Sequence, residues 1–352
     1  MQLTSRHLSF ALLTSLCGAA LAAQPPAAAA QASYTPQAYL AQRSHQGVDV
    51  FAVGAGPERA YVFTPAQPSP QGAPLVFFHH GWLGMNPLNF GGLIDLLVRR
   101  GAVVVYPVYQ DGDHTSPQAV TKLAQDADLA ALRALRSRYP GMADEGKTMY
   151  IGYSMGAAIS LNLALAPALL PAPRALLLMA PGDAYHVAHG ADGKSIYGDV
   201  ESLPASLPTV LVSGLADTSI GVPTARKLAA RLCHLQHRNL ILFPSDTDGE
   251  RTIVAGHGSP GAPDQRYNFP YPRTPLADGA HIAPRSDFEP SGSLNLLDFY
   301  GYWRLATRLL DYVDGQALPA DIFGASEANG YLGKWPSGKE YAKAQIENPC
   351  PQ

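Results

Sequence analysis

Gly152-Tyr153-Ser154-Met155-Gly156 is the stretch of sequence that decides the fold of this chain. Residues 148–151 before it have the apolar character of a buried strand, and residues 157–165 after it have a helical pattern. A Gly-x-Ser-x-Gly turn between a strand and a helix presents the serine hydroxyl above the sheet. The flanking glycines leave room where a Cβ would collide with the neighbouring strand or helix. We therefore predict that Ser154 is a covalent nucleophile.

The order of apolar segments predicts the fold class. Residues 48–53 and 59–63 alternate apolar and polar side chains, as edge or antiparallel strands do. Six later runs are apolar throughout, as in parallel strands covered on both faces: 75–78, 103–106, 149–151, 175–179, 210–212 and 240–243. Helical spacing occurs at residues 88–100, 118–138, 157–165, 225–232 and 294–313. This alternation predicts an α/β fold, with a mostly parallel central sheet and helices on both faces.

The N-terminal residues have the composition of an export signal. Residues 1–23 combine a weakly basic start at Arg6, a short apolar core and small residues before Gln24. We predict cleavage at that point, followed by a flexible leader at residues 24–45. Residues 46–352 are then expected to form a single domain with a C-terminal tail, located outside the cell or in the periplasm.

Charge and motif content exclude several classes of protein. The formal net charge of −3 over 352 residues gives no indication of nucleic-acid binding, and the apolar signal segment is too short for stable membrane insertion. His186 and His189 have a metal-like spacing but no evident third ligand, and no phosphate-binding glycine loop is present. We expect a monomer without a metal or a cofactor.

Cys233 and Cys350 are expected to form a disulfide, as an oxidising compartment allows.

A serine nucleophile needs a base and an acid, and candidates for both follow it in the chain. Asp217 lies just beyond the run at residues 210–212, while Asp183 follows the preceding strand and is the rival acid. His257 lies between two glycines after the last apolar run, and His281 is an alternative base farther along. We favour Asp217 on strand order, and His257 on its shorter loop and the freedom of its glycines.

An acyl-transfer site also needs backbone N–H groups that stabilise an oxyanion. Met155, directly after the serine, is the first candidate. The loop that follows residues 75–78 contains His80-Gly81-Trp82, and Trp82 is the candidate for the second donor. Trp82 and Tyr153 flank these groups and are the predicted substrate-binding side chains of an apolar pocket.

The order of these elements resembles the α/β-hydrolase superfamily, over most of the chain between residues 47 and 315. Residues 253–260 resemble the histidine region of a bacterial secreted branch, and residues 297–303 resemble its last helix. The Gly-Tyr-Ser-Met-Gly stretch is similar to that of dienelactone-hydrolase-like and cutinase-like polyesterases. The resemblance implies a serine hydrolase that cleaves small-molecule or polymeric carboxylic esters. Alternatives are an acyltransferase with an alcohol acceptor and a non-catalytic binding protein on the same fold.

Overall fold

The computed structural model describes residues 34–112, 115–166, 168–183, 195–269 and 293–350. The predicted signal peptide, the His186 and His189 pair and the alternative base His281 lie outside these ranges.

One large sheet organises the described part of the chain. Its strands are β1 (Gly47–Val53), β2 (Ala60–Ala66), β3 (Ala73–His79), β4 (Val103–Pro107), β5 (Ala143–Tyr153), β6 (Ala175–Met179), β7 (Thr209–Gly214), β8 (Arg238–Phe243) and β11 (Gln345–Glu347). Strands β9 (Asp246–Asp248) and β10 (Arg251–Ile253) form a separate small hairpin. The spatial order is β1-β2-β4-β3-β5-β6-β7-β8-β11. Strands β3 to β8 run parallel, whereas β2 and β11 run antiparallel to their neighbours β4 and β8. The predicted α/β class and its mostly parallel central sheet are confirmed.

Helices cover both faces of this sheet. They are α1 (Pro36–Ala41), α2 (Gly91–Arg99), α3 (Val120–Arg138), α4 (Met155–Ala164), α5 (Gly221–Arg231), α6 (Trp303–Val313) and α7 (Glu327–Gly330). Helix α6 continues a π-helical turn at Asp298–Tyr302. Side chains alternate along each strand between two cores. Val76 and Phe78 pack with α2 and α6, whereas Leu75 and Phe77 pack with α3, α4 and α5. The sheet is therefore buried on both sides, as its continuous apolar runs predict.

The predicted flexible leader does not extend to residue 45, because α1 lies inside it. Tyr39 on this helix is buried, donates its hydroxyl to the Phe299 carbonyl oxygen at 2.6 Å, and packs edge-on against Trp303. Arg43 then binds the buried Asp95 carboxylate at 2.7 Å. Tyr39 therefore belongs to the core of the α6 face, and Tyr34 packs against that core.

A disulfide ties the C-terminal tail to the edge of the sheet. Cys233 follows α5 and Cys350 follows β11, and their Cα atoms are 5.5 Å apart. The predicted pairing of these cysteines is confirmed. In the ranges above, no helix has both the length and the apolar character needed to span a membrane.

Candidate active site

Ser154, His257 and Asp217 form one continuous hydrogen-bonded chain. The His257 Nε2 atom lies 2.9 Å from Ser154 Oγ, and its Nδ1 atom lies 2.5 Å from Asp217 Oδ2. When Nδ1 carries the proton and donates it to the carboxylate, Nε2 accepts from the serine hydroxyl, as a general base must. The His257 side chain is 26% exposed and that of Asp217 only 3%. Solvent thus reaches the imidazole, while the carboxylate is shielded.

The backbone at Ser154 is strained in the way that a tight strand-to-helix turn requires. Its φ is 52° and its ψ −120°, a region that costs a residue with a Cβ about 1–3 kcal/mol. A Cβ on Gly152 would overlap the backbone of α4, and one on Gly156 would overlap the His79 carbonyl group. The Ser154 N–H donates to the Met179 carbonyl oxygen at 3.0 Å, which ties the turn to β6. The two glycines therefore permit close approach of strand, turn and helix.

The two acid candidates occupy different environments. Asp217 lies beyond the carboxyl end of β7, and Gly221 leaves space for its carboxylate, since a Cβ there would overlap Asp217 Oδ2. Asp183 instead accepts the backbone N–H of Ile196 at 3.0 Å. Of the two, only Asp217 lies in contact with the histidine.

A hydrogen bond joins the loop that carries His257 to the loop that carries Asp217. The Ala216 N–H donates to the Ala255 carbonyl oxygen at 2.9 Å, so the loops of acid and base are joined. A Cβ on Gly256 would meet nothing closer than Val254 Cγ1 at 3.9 Å. Glycine is therefore not sterically required at position 256.

The predicted oxyanion donors border the nucleophile. Met155 begins α4 directly after Ser154. On the other side Gly81 precedes Trp82, and a Cβ on Gly81 would lie 3.0 Å from the Ser154 Cβ. Within the described part of the chain, no acceptor takes the backbone N–H of Met155 or Trp82. Both N–H groups are therefore available to donate a hydrogen bond.

The turn that carries Trp82 is fixed from two directions. The Gly84 N–H donates to the Gly81 carbonyl oxygen at 3.0 Å, which closes the turn. Leu83, at a φ of 61°, donates its N–H to Gln110 Oε1 at 2.8 Å. These bonds use the N–H groups that follow Trp82 and leave its own N–H without an acceptor among the described residues.

His80 supports this turn from below. Its Nδ1 atom lies 2.6 Å from the Gly81 carbonyl oxygen and its Nε2 atom 2.8 Å from that of Val108. The ring stacks on Tyr109 with centroids 4.0 Å apart. Complete burial disfavours the charged form and lowers the pKa of His80 to about 4, although the contacts with the two carbonyl oxygens act in the opposite direction.

The lowered pKa of His80 predicts a loss of stability in acid. Between the ordinary value of 6.5 and about 4, the unfolded chain binds a proton that the folded chain does not. Neutral His80 thus contributes its full stabilisation above pH 6.5, and this contribution to the free energy of unfolding is lost as the pH falls to about 4. The loss amounts to at most about 3 kcal/mol. Urea unfolding at pH 7 and pH 4.5 should show that acid lowers the free energy of unfolding more in the wild type than in His80→Asn. Equal decreases in the two proteins would contradict the lowered pKa of His80.

The two predicted substrate-binding aromatic residues are placed differently. Trp82 is partly buried and packs against the core on the α4 face. Tyr153 is 5% exposed, its ring centroid lies 5.1 Å from that of Phe90, and its hydroxyl donates to the His257 carbonyl oxygen at 3.1 Å. This placement favours a positioning role for Tyr153 over the substrate contact predicted from its position beside Ser154.

A second Ser-His-Asp chain, which sequence reasoning missed, lies buried beneath the turn. His79 Nδ1 is 2.8 Å from Ser160 Oγ, and His79 Nε2 is 3.1 Å from Asp128 Oδ2. All three side chains are fully buried, and desolvation raises the pKa of Asp128. The chain joins the end of β3 to α3 and α4, which agrees with a structural role for His79. The sequence contains one signal of this buried chain, namely polar residues on helix faces that are otherwise apolar.

The described residues include no group of three or more His, Cys, Asp or Glu side chains placed to hold a metal. Comparison with protein-family models and with curated proteins found no match. The function proposed below therefore rests on the geometry of the site.

Proposed function

We propose that this chain is a serine hydrolase of the α/β-hydrolase fold that cleaves carboxylic esters through an acyl-enzyme on Ser154. The observation that carries the proposal is the chain from Ser154 Oγ to His257 and Asp217, with distances of 2.9 Å and 2.5 Å. The strained serine between β5 and α4, at the carboxyl end of a parallel strand, supports it because ligands bind at this edge of such sheets.

The first half of the reaction forms the acyl-enzyme. His257 Nε2 takes the proton of the Ser154 hydroxyl as Oγ attacks the ester carbonyl carbon. The carbonyl oxygen becomes an oxyanion and accepts from the N–H groups of Met155 and Trp82. His257 then gives the proton to the leaving alkoxide, and the alcohol departs. Asp217 holds the ring and stabilises the imidazolium throughout.

The second half of the reaction releases the acid. A water molecule gives a proton to His257 Nε2 and attacks the acyl carbon, and the protonated imidazole then returns that proton to Ser154 Oγ. The 26% exposure of the His257 side chain supports water as the acceptor, since bulk solvent reaches the base. An acyltransferase would have to keep this water out, so we place hydrolysis first.

We propose in addition that the protein is exported. The bonded cysteines fit an oxidising compartment, since disulfides are rare in reducing ones. The predicted signal at residues 1–23 accords with this location. Mass spectrometry of the secreted or periplasmic protein should identify a mature N-terminus at Gln24.

Covalent labelling tests the function directly. A fluorophosphonate probe should label the wild type on the peptide that contains Ser154, and the label should be absent in Ser154→Ala. Ser160→Ala is the matched control, because Ser160 also bonds a histidine but is fully buried. Labelling should persist in Ser160→Ala.

A panel of short- and long-chain esters completes the test. Turnover of at least one ester by the labelled wild type is expected, and its rate with added alcohol separates hydrolysis from acyl transfer. A wild type that takes no label would leave the non-catalytic binding protein as the better interpretation.

A further inference from the structure

Two hydroxyl groups hold the peptide units on either side of the His257 Cα atom. Ser259 donates its hydroxyl to the Gly256 carbonyl oxygen at 2.8 Å, and Tyr153 donates to the His257 carbonyl oxygen at 3.1 Å. These two carbonyl groups belong to the peptide units that precede and follow His257. With both units fixed, φ and ψ of His257 are fixed, and with them the direction of its Cα–Cβ bond.

The first hydroxyl is itself held by Tyr302. The Tyr302 and Ser259 hydroxyl oxygens are 2.7 Å apart. Because Ser259 already donates to Gly256, the phenol must be the donor in this second bond. Both side chains are buried, and desolvation raises the pKa of Tyr302, so the phenol keeps its proton. Successive bonds of this kind strengthen each other by polarisation.

The helix geometry places Tyr302 at this point. Tyr302 ends the π-helical turn Asp298–Tyr302, directly before α6. The hydrogen bonds of a π-helical turn span five residues instead of the four of an α-helix, so the turn changes the direction in which the following side chain points. Within it, Gly301 packs on Phe243 at the end of β8, where a Cβ would come 2.6 Å from the ring. The turn thus brings the phenol beneath the histidine loop.

We propose that Tyr153, Ser259 and Tyr302 are positioning residues that aim the His257 imidazole at Ser154. We refer to these three residues as the hydroxyl clamp. The proposal rests on the proposed function, since it assigns His257 as the base. Hydroxyls of the clamp touch only backbone carbonyls and one another in the described structure, so their effect on the reaction passes through the geometry of His257.

Single-hydroxyl deletions test the clamp. Tyr153→Phe, Ser259→Ala and Tyr302→Phe should each lower kcat for ester hydrolysis about 10- to 100-fold, with KM within a factor of about 2, because a misplaced base affects the chemical step. Tyr150→Phe is the matched control. It lies on β5 like Tyr153 and donates its hydroxyl to the Pro171 carbonyl oxygen at 2.8 Å, away from the site. Its kcat should remain within a factor of about 2 of the wild type.

Combined variants separate positioning from general loosening of the fold. Tyr302 and Ser259 act in one chain, so the double variant should be no worse than Ser259→Ala alone. Tyr153 acts on the other peptide unit, so Tyr153→Phe with Ser259→Ala should lower kcat further. Ser259→Thr keeps the hydroxyl and should restore most of the rate. Clamp variants whose kcat matches that of Tyr150→Phe would overturn the proposal, as would a change confined to KM.

A readout that does not depend on turnover distinguishes this proposal from the proposed function. The NMR signal of the His257 Nδ1 proton bonded to Asp217 should exchange faster with solvent in each clamp variant, also in the inactive Ser154→Ala background. A wild type without esterase activity would refute the proposed function, while the proton signal would still report whether the clamp holds the ring. Unchanged proton exchange in all clamp variants would refute the clamp.

Discussion

Replacing His257 by alanine is expected to lower kcat for ester hydrolysis about 10⁴- to 10⁶-fold, with little change in KM. The reason lies in the two contacts of the ring. Without Nε2 at 2.9 Å, no group accepts the proton of Ser154 Oγ, and the Asp217 carboxylate loses its partner at 2.5 Å. The rate that remains comes from the oxyanion donors and from substrate binding. Steady-state kinetics on the best ester of the panel, at pH 7 to 8, measures the effect.

Three companion variants make this result decisive. His281→Ala should retain the wild-type rate, because the contacts to Ser154 and Asp217 are both made by His257. Asp217→Asn should lower kcat about 10⁴-fold, since an amide cannot stabilise the imidazolium or keep the proton on Nδ1. A large loss in His281→Ala together with near-normal activity in His257→Ala would transfer the role of base to His281. Loss in Asp183→Asn but not in Asp217→Asn would reassign the acid.

The central sheet could be predicted from the sequence because burial on both faces leaves a direct signal. All six continuous apolar runs fall within strands β3 to β8, and Ser154 falls at the junction of β5 and α4. From β5 to β8 the spatial order follows the chain order, as consecutive elements of such a fold tend to do, whereas β3 and β4 exchange places. The juxtaposition of Ser154 with Asp217 could be anticipated for the same reason, since both follow parallel strands that end at one edge.

The parts that could not be predicted depend on contacts between distant segments. Composition suggested that residues 24–45 are flexible, but one buried ring, that of Tyr39, fixes α1 on α6. Periodicity indicated a regular helix over residues 294–313 and contained no sign of the π-helical turn that directs Tyr302. Likewise, adjacency to Ser154 suggested that Tyr153 contacts substrate, whereas its hydroxyl reaches a carbonyl more than 100 residues away. Such contacts belong to the tertiary structure, and local pattern does not encode them.

Removing the disulfide should have the largest effect on stability. The double variant Cys233→Ser, Cys350→Ser is expected to lower the free energy of unfolding by about 2–5 kcal/mol. The bond joins residues 117 apart, so its loss gives the unfolded chain the freedom of a long open loop. In the folded state, β11 pairs with β8 through only three residue pairs, beginning with Gln345 and Leu242. Urea unfolding at pH 7 without reductant measures the difference.

The control for this prediction is the wild type treated with a reductant, which should unfold at the same urea concentration as the double variant. Turnover at 25 °C should change little, because β11 is an edge strand that β6, β7 and β8 separate from β5 and Ser154. A loss of activity as large as that of His257→Ala would mean that the tail also orders the histidine loop, to which it is linked by the bond from Trp335 Nε1 to Asp246 Oδ2 at 2.9 Å. A decrease in the free energy of unfolding below about 1 kcal/mol would instead show that the packing of the tail suffices to keep β11 paired with β8.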